Sequence, residues 1–169
     1  MHGRNITHLA LLTGMSLTLF MVETALPAPI PVPGAKLGLA NAVTVWTVYR
    51  CRPSEALMVL ISRILLGALL TGNLFAIIFS LSGGLLSLAA CLILKRFMPS
   101  LPMWQSSAFG GVLHNAGQLI AAVLVSGTRA LIYYAPLLII AGMACGSVTG
   151  LIAQVTASRL DAGQKGSQR

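Results

Sequence analysis

The sequence predicts an all-α integral membrane protein, a compact bundle of about six transmembrane helices. Three observations predict it. Only 8% of the 169 residues are charged and 56% are hydrophobic, with a mean hydropathy of +0.87. A water-soluble domain needs roughly a quarter of its residues charged. The apolar residues also form continuous runs, such as Leu9–Val22 and Pro136–Ala144, whereas a membrane β-barrel alternates polar and apolar over segments of about ten. Because lipid offers backbone groups no hydrogen-bond partner, continuous runs must be helices. Finally, the bases behind the formal charge of +8 sit mostly at the ends of these runs. Membrane topology explains that placement better than nucleic-acid binding does.

The first helix is expected over Ile6–Leu26 and is read as a retained helix rather than a cleaved leader, since no clear small-residue cleavage site follows it. After it comes Glu23–Asn41, the stretch around which the chain is organised. Pro27, Pro29, Pro31 and Pro33 remove backbone donors and exclude a helix interior there. Gly34 and Gly38 then allow tight turning. This stretch carries Glu23, one of three acidic residues in the chain, and Lys36 among apolar neighbours. It reads as a ligand-contacting lid, with a stiff surface turn as the alternative.

The second helix is expected over Gly34–Tyr49, short for a span of about 20 residues. Arg50 and Arg52 close it, and Pro53 opens the third helix, Ser54–Thr71. Gly72–Asn73 turns the chain into a fourth helix, Leu74–Leu94. The loop Lys95–Gln105, with Pro99 and Pro102, leads to a fifth, Ser106–Ser126. Gly127–Arg129 connects to a sixth, Leu131–Ser158. Residues 1–158 thus form one transmembrane domain and 159–169 a polar tail expected to be disordered. Six spans put eight bases (Arg4, Arg50, Arg52, Lys95, Arg96, Arg159, Lys165, Arg169) on one side and Lys36 and Arg129 on the other. The positive-inside rule then places both termini in the cytoplasm and the proline-rich loop outside the cell membrane.

Polar groups at membrane depth are functional suspects. On the fifth helix His114, Asn115 and Gln118 share a face through their i,i+3 and i,i+4 spacing, and Gly110, Gly111 and Gly117 clear bulk beside them. They suit recognition of a polar small molecule or, equally simply, interhelical hydrogen bonding. Arg63, mid-helix, requires an anionic ligand, Glu23 or backbone carbonyls as partner. Asn41 and Asn73 are weaker candidates, since caps and turns explain many asparagines. On the first helix Ala10, Gly14 and Thr18 repeat every four residues as a seam for a partner helix, and Gly83-Gly84 and Gly142/Gly146/Gly150 make packing seams elsewhere. Cys51, Cys91 and Cys145 are dispersed, without CxxC spacing, and read as packing residues. No P-loop, HExxH, carboxylate cluster or GxSxG elbow occurs. Neither a catalytic residue, a metal site nor a cofactor is therefore expected.

Several segments taken in order carry a family resemblance. Glu23…Leu26-Pro27, then Pro33-Gly34-Ala35-Lys36-Leu37-Gly38-Leu39-Ala40-Asn41, is the most specific. Arg63-Ile64-Leu65-Leu66, Ser82-Gly83-Gly84-Leu85-Leu86-Ser87, Gly111…His114-Asn115-Ala116-Gly117-Gln118 and Tyr133-Tyr134-Ala135-Pro136-Leu137 follow. Together they resemble the Gx transporter family, also labelled heptaprenyl diphosphate synthase component I, over about residues 5–158. Its proline content between the LP and PGAK parts is higher than the family pattern suggests. The resemblance implies a fold like the six-helix substrate-binding S components of energy-coupling factor uptake systems. In that case the outer loop closes over a small-molecule substrate held by Glu23, Lys36, Asn41, Arg63, His114, Asn115 and Gln118. The Ala10/Gly14/Thr18 face would dock on a transmembrane coupling protein driven by ATPases. The second label implies instead a non-catalytic membrane partner of a prenyl diphosphate synthase catalytic subunit, for the DDxxD motifs of such catalytic subunits are absent. A self-contained channel is a remote third reading, because a glycine-packed bundle leaves little room for a pore.

Overall fold

A computed structural model of the chain describes residues 2–25 and 38–166, with side chains over 6–25 and 38–163. Lys36 and the four loop prolines lie outside the described residues. The fold is all-helical: α1 His2–Ala25, α2 Asn41–Arg50, α3 Pro53–Thr71, α4 Phe75–Phe97, α5 Met103–Ser126 and α6 Ala135–Gly166, with a 3₁₀ turn at Arg129–Tyr134 leading into α6. Five of these helices are long and apolar enough to cross a membrane. Their outward faces carry large apolar side chains such as Leu69, Leu124 and Ile140, as a lipid-facing surface requires.

The exception is α2. At 10 residues it is about 15 Å long, half a bilayer. Its expected start at Gly34 is not where the helix begins: Gly38 takes φ +77° and the chain turns through Leu39 and Ala40 before the helix opens at Asn41. Being short, α2 sits inside the bundle and touches α1, α3, α4, α5 and α6. Val45 and Val48 pack in its main cluster with Leu60, Ile64, Leu88 and Ala153. A helix ending inside a bundle leaves carbonyls without partners. Lys95 answers this, with Nζ donating to the Val48 carbonyl at 2.7 Å and to that of Tyr49 at 3.4 Å. The cation at a helix C-terminus also opposes the helix dipole.

Capping sets the other boundaries. Pro53 occupies the first turn of α3, and the Arg52 backbone N–H donates to the Glu55 carboxylate at 2.8 Å. Pro102 precedes α5, so that helix begins three residues before the expected Ser106. The largest boundary difference is at the C-terminus. The tail expected to be disordered from residue 159 continues α6 as helix to Gly166. Arg50 helps to hold this extension, donating to the Ala157 carbonyl at 3.2 Å and pairing with Asp161. Both side chains of that pair are partly exposed, and such pairs contribute little. Asp161→Asn is therefore expected to lower stability by no more than about 1 kcal/mol, measured as a small, salt-sensitive shift of the thermal midpoint in detergent.

Around α5 the helices approach most closely. A Cβ built on Gly111 would lie 2.1 Å from the Gly142 carbonyl oxygen, and one on Gly146 would lie 2.4 Å from that of Ser107. The backbones of α5 and α6 are therefore in direct contact, which only small residues permit.

Candidate functional site

Two small polar cavities, each about 20 Å³, lie side by side within the bundle beneath the Gly38–Ala40 turn. They share Gly38, Asn41 and His114 in their walls and form one divided chamber. The first half adds Glu23, Arg63, Ser80 and Gln118, with Phe20 as its apolar wall. The second adds Asn115, Ser87, Ser107, Cys145 and Thr149 beside the glycines of the α5–α6 contact.

Each helix reaches the chamber for a local reason. Glu23 stands in the last turn of α1 and is 6% exposed. Its Oε1 accepts the Gly38 backbone N–H, joining the end of α1 to the turn. The same turn is held by Ser16, whose Oγ donates to the Ala40 carbonyl at 3.1 Å. Asn41, at the start of α2, places its Oδ1 3.4 Å from Arg63 Nη2. Arg63, halfway along α3, is also 6% exposed. Its Nε is buried with no hydrogen-bond partner. Of the three partners weighed for Arg63 from the sequence, Glu23 is not within ion-pair distance of it, 4.0 Å, among the described residues. The chamber therefore holds a buried cation with unsatisfied donor capacity. In a low-dielectric interior such a group is expensive unless something anionic approaches it.

The three polar residues of α5 divide their roles. His114 lies where both halves meet, and its Nδ1 is buried without a partner. Gln118 lines the Arg63 half, one turn along. Asn115 is different, because its Nδ2 donates to the Leu138 carbonyl at 2.8 Å and ties α5 to α6. That is the interhelical bonding weighed from sequence, although Asn115 also lines the chamber. Asn115→Ala is expected to lower stability by about 1 kcal/mol, the scale of hydrogen bonds between membrane helices. Thermal unfolding in detergent measures it.

Among the sequence candidates, the structure thus gathers Glu23, Asn41, Arg63, His114, Asn115 and Gln118 at one chamber, while Lys36 lies outside the described residues. Asn73 is elsewhere, accepting the Ala76 backbone N–H at 3.1 Å at the start of α4. Ala10, Gly14 and Thr18 form an exposed face of α1, and nothing lies within 4 Å of a Cβ built on Gly14. Sequence reasoning missed Ser107, Thr149 and Cys145. Their signal was small polar side chains three or four residues from the glycines of a helix seam, where they line any gap the glycines leave. No cluster of metal-ligating side chains occurs among the described residues.

Fold and chamber together define a multi-pass membrane protein with a polar, internally lined site. The family model for heptaprenyl diphosphate synthase component I matches residues 12–156, most of the chain, and the protein belongs to that family. No curated protein and no solved structure matches it.

Proposed function

We propose that the protein is a membrane-embedded, small-molecule-binding subunit of an uptake system, with the chamber as its ligand site. The observation that carries this reading is Arg63: a buried guanidinium, without an ion pair among the described residues, lining a cavity beside an unpartnered His114 nitrogen. Structural arginines in membrane bundles are normally paired. Arg63 supplies charge for an anionic group, while His114, Gln118 and Asn41 supply hydrogen bonds that orient it. Glu23 fixes the turn above the chamber, Asn115 lines the second half, and Lys36 adds a second base from the loop. Both termini face the cytoplasm, following the eight-to-two split of bases, which puts the turn at Gly38 toward the outer side. The uncovered Ala10/Gly14/Thr18 face of α1 is where a transmembrane coupling protein with its ATPases docks.

The family's description favours a second reading over transport: a non-catalytic membrane component of a heptaprenyl diphosphate synthase in isoprenoid quinone synthesis. Since the chain carries no aspartate-rich metal-diphosphate motif, catalysis would reside in a separate prenyl synthase subunit. Affinity purification of the tagged protein in mild detergent, with mass spectrometry, separates the two. Retention of a membrane coupling protein and ATPases is expected for uptake. Retention of a soluble prenyl synthase subunit alone would replace that reading with the second.

A further inference from the structure

The chamber does not end at α6. Cys145 and Thr149 line its second half, and the same two residues line a crevice of about 230 Å³ on the outside of the bundle. The rest of that crevice is apolar: Leu39 from the turn before α2, and Ala144 and Val148 on α6. Cys145 lies ten residues into α6, about 15 Å along its axis, so the crevice faces lipid near the middle of a span. The three spaces therefore share walls in series. Arg63, Gln118 and Glu23 line the innermost, Ser107, Asn115 and Thr149 the middle one, and aliphatic side chains the outermost. Polarity falls steadily along this line.

The volumes decide what such a path can take. A cavity of about 10–15 Å³ holds one water, so each inner space, at about 20 Å³, accommodates a group of very few atoms. Among the cavities lined by described residues, the crevice is the wider space that shares walls with the chamber, and a larger ligand extends into it. A groove of about 390 Å³ between α1, α2 and α6 shares no lining residue with it and offers no such continuation.

We infer that the ligand is an amphiphilic anion, with a compact head at Arg63, His114 and Gln118 and an apolar body leaving between Leu39 and α6 into the bilayer. This rests on the chamber being the binding site proposed above. It adds the ligand's chemical class and its route, which is lateral and from the lipid. Carboxylate and phosphate heads share the chemistry that Arg63 recognises, and acyl and isoprenoid bodies share that of the crevice.

The test is equilibrium binding of radiolabelled decanoate and geranyl phosphate to the full chain in nanodiscs, with binding to empty discs subtracted. Acetate and inorganic phosphate serve as head-only competitors, and 1-decanol as the body-only one. Saturable binding of at least one ten-carbon anion is expected. It should weaken at least tenfold in Arg63→Gln and in Val148→Trp, which fills the crevice from a lipid-exposed position, and all three partial competitors should compete at least tenfold more weakly. Whichever anion binds identifies the head. If the head-only anions compete as well as the ten-carbon ligands, with dependence on Arg63 but not Val148, the lateral route is wrong and the chamber reading stands. If no anion binds in an Arg63-dependent way, both fail.

Discussion

Gly111→Ala is expected to destabilise the protein by about 3 kcal/mol or more, the upper end of what overpacking a close-packed interior does. The added Cβ would meet the Gly142 carbonyl oxygen at 2.1 Å and the Gly146 Cα at 3.0 Å. Both are backbone atoms, so no side-chain rotation relieves the overlap. Helices α5 and α6 must move apart, and with them the Asn115–Leu138 and Ser107–Thr149 hydrogen bonds that cross the same contact. Thermal unfolding in a mild detergent measures the loss. Gly14→Ala is the control, because nothing lies within 4 Å of a Cβ there. It should leave the midpoint nearly unchanged or raise it slightly, since alanine is favoured over glycine in a helix by about 1 kcal/mol. Equal effects of the two substitutions would refute the direct backbone contact.

Arg63→Gln is expected to separate binding from stability. Glutamine keeps a donor for Asn41 while removing the charge. If Arg63 belonged to a structural ion pair, breaking it would destabilise the bundle by about 3–5 kcal/mol. Among the described residues the guanidinium instead makes one long hydrogen bond, and its Nε has no partner. Burying an arginine at the middle of a membrane helix is unfavourable by about 2.5–3.5 kcal/mol on insertion scales. The neutral variant should therefore unfold at the same temperature as the parent or higher. Its affinity for an anionic ligand should fall at least about tenfold, as the loss of a charge-assisted hydrogen bond worth about 1.5–3 kcal/mol implies. A variant that melts well below the parent would make Arg63 a structural residue.

The positions of the candidate residues explain how far the site could be read from the sequence. Arg63, His114 and Gln118 were legible because a charged or strongly polar group within an apolar run has few structural explanations. Asn41 was legible only as a weak candidate, since asparagine so often caps or turns; its contact with Arg63 spans 22 positions of chain and has no local signal. Asn115 and Gln118 lie on the same helical face by spacing, yet one bonds to α6 and the other faces Arg63. Spacing fixes a face of a helix but not the neighbour that covers it. Ser107, Thr149 and Cys145 looked like ordinary small residues, and they acquire meaning only from the gap between α5, α6 and the turn at Gly38.

By itself the sequence determined that this is a helical membrane protein, where its helices run except at the start of α2 and the end of α6, and which deep polar groups require an explanation. Composition and continuous apolar runs suffice for that, because lipid forces backbone groups to pair within each segment. It also carried the family, through motifs spread along most of the chain. The tertiary structure alone decided that α2 is a half-length helix enclosed by the others, that α6 extends into the polar tail as far as Gly166, and that Arg63 has no carboxylate in direct contact among the described residues. Each depends on distances between segments remote in sequence, set by how closely glycine lets helices approach, and no periodicity within one segment encodes them.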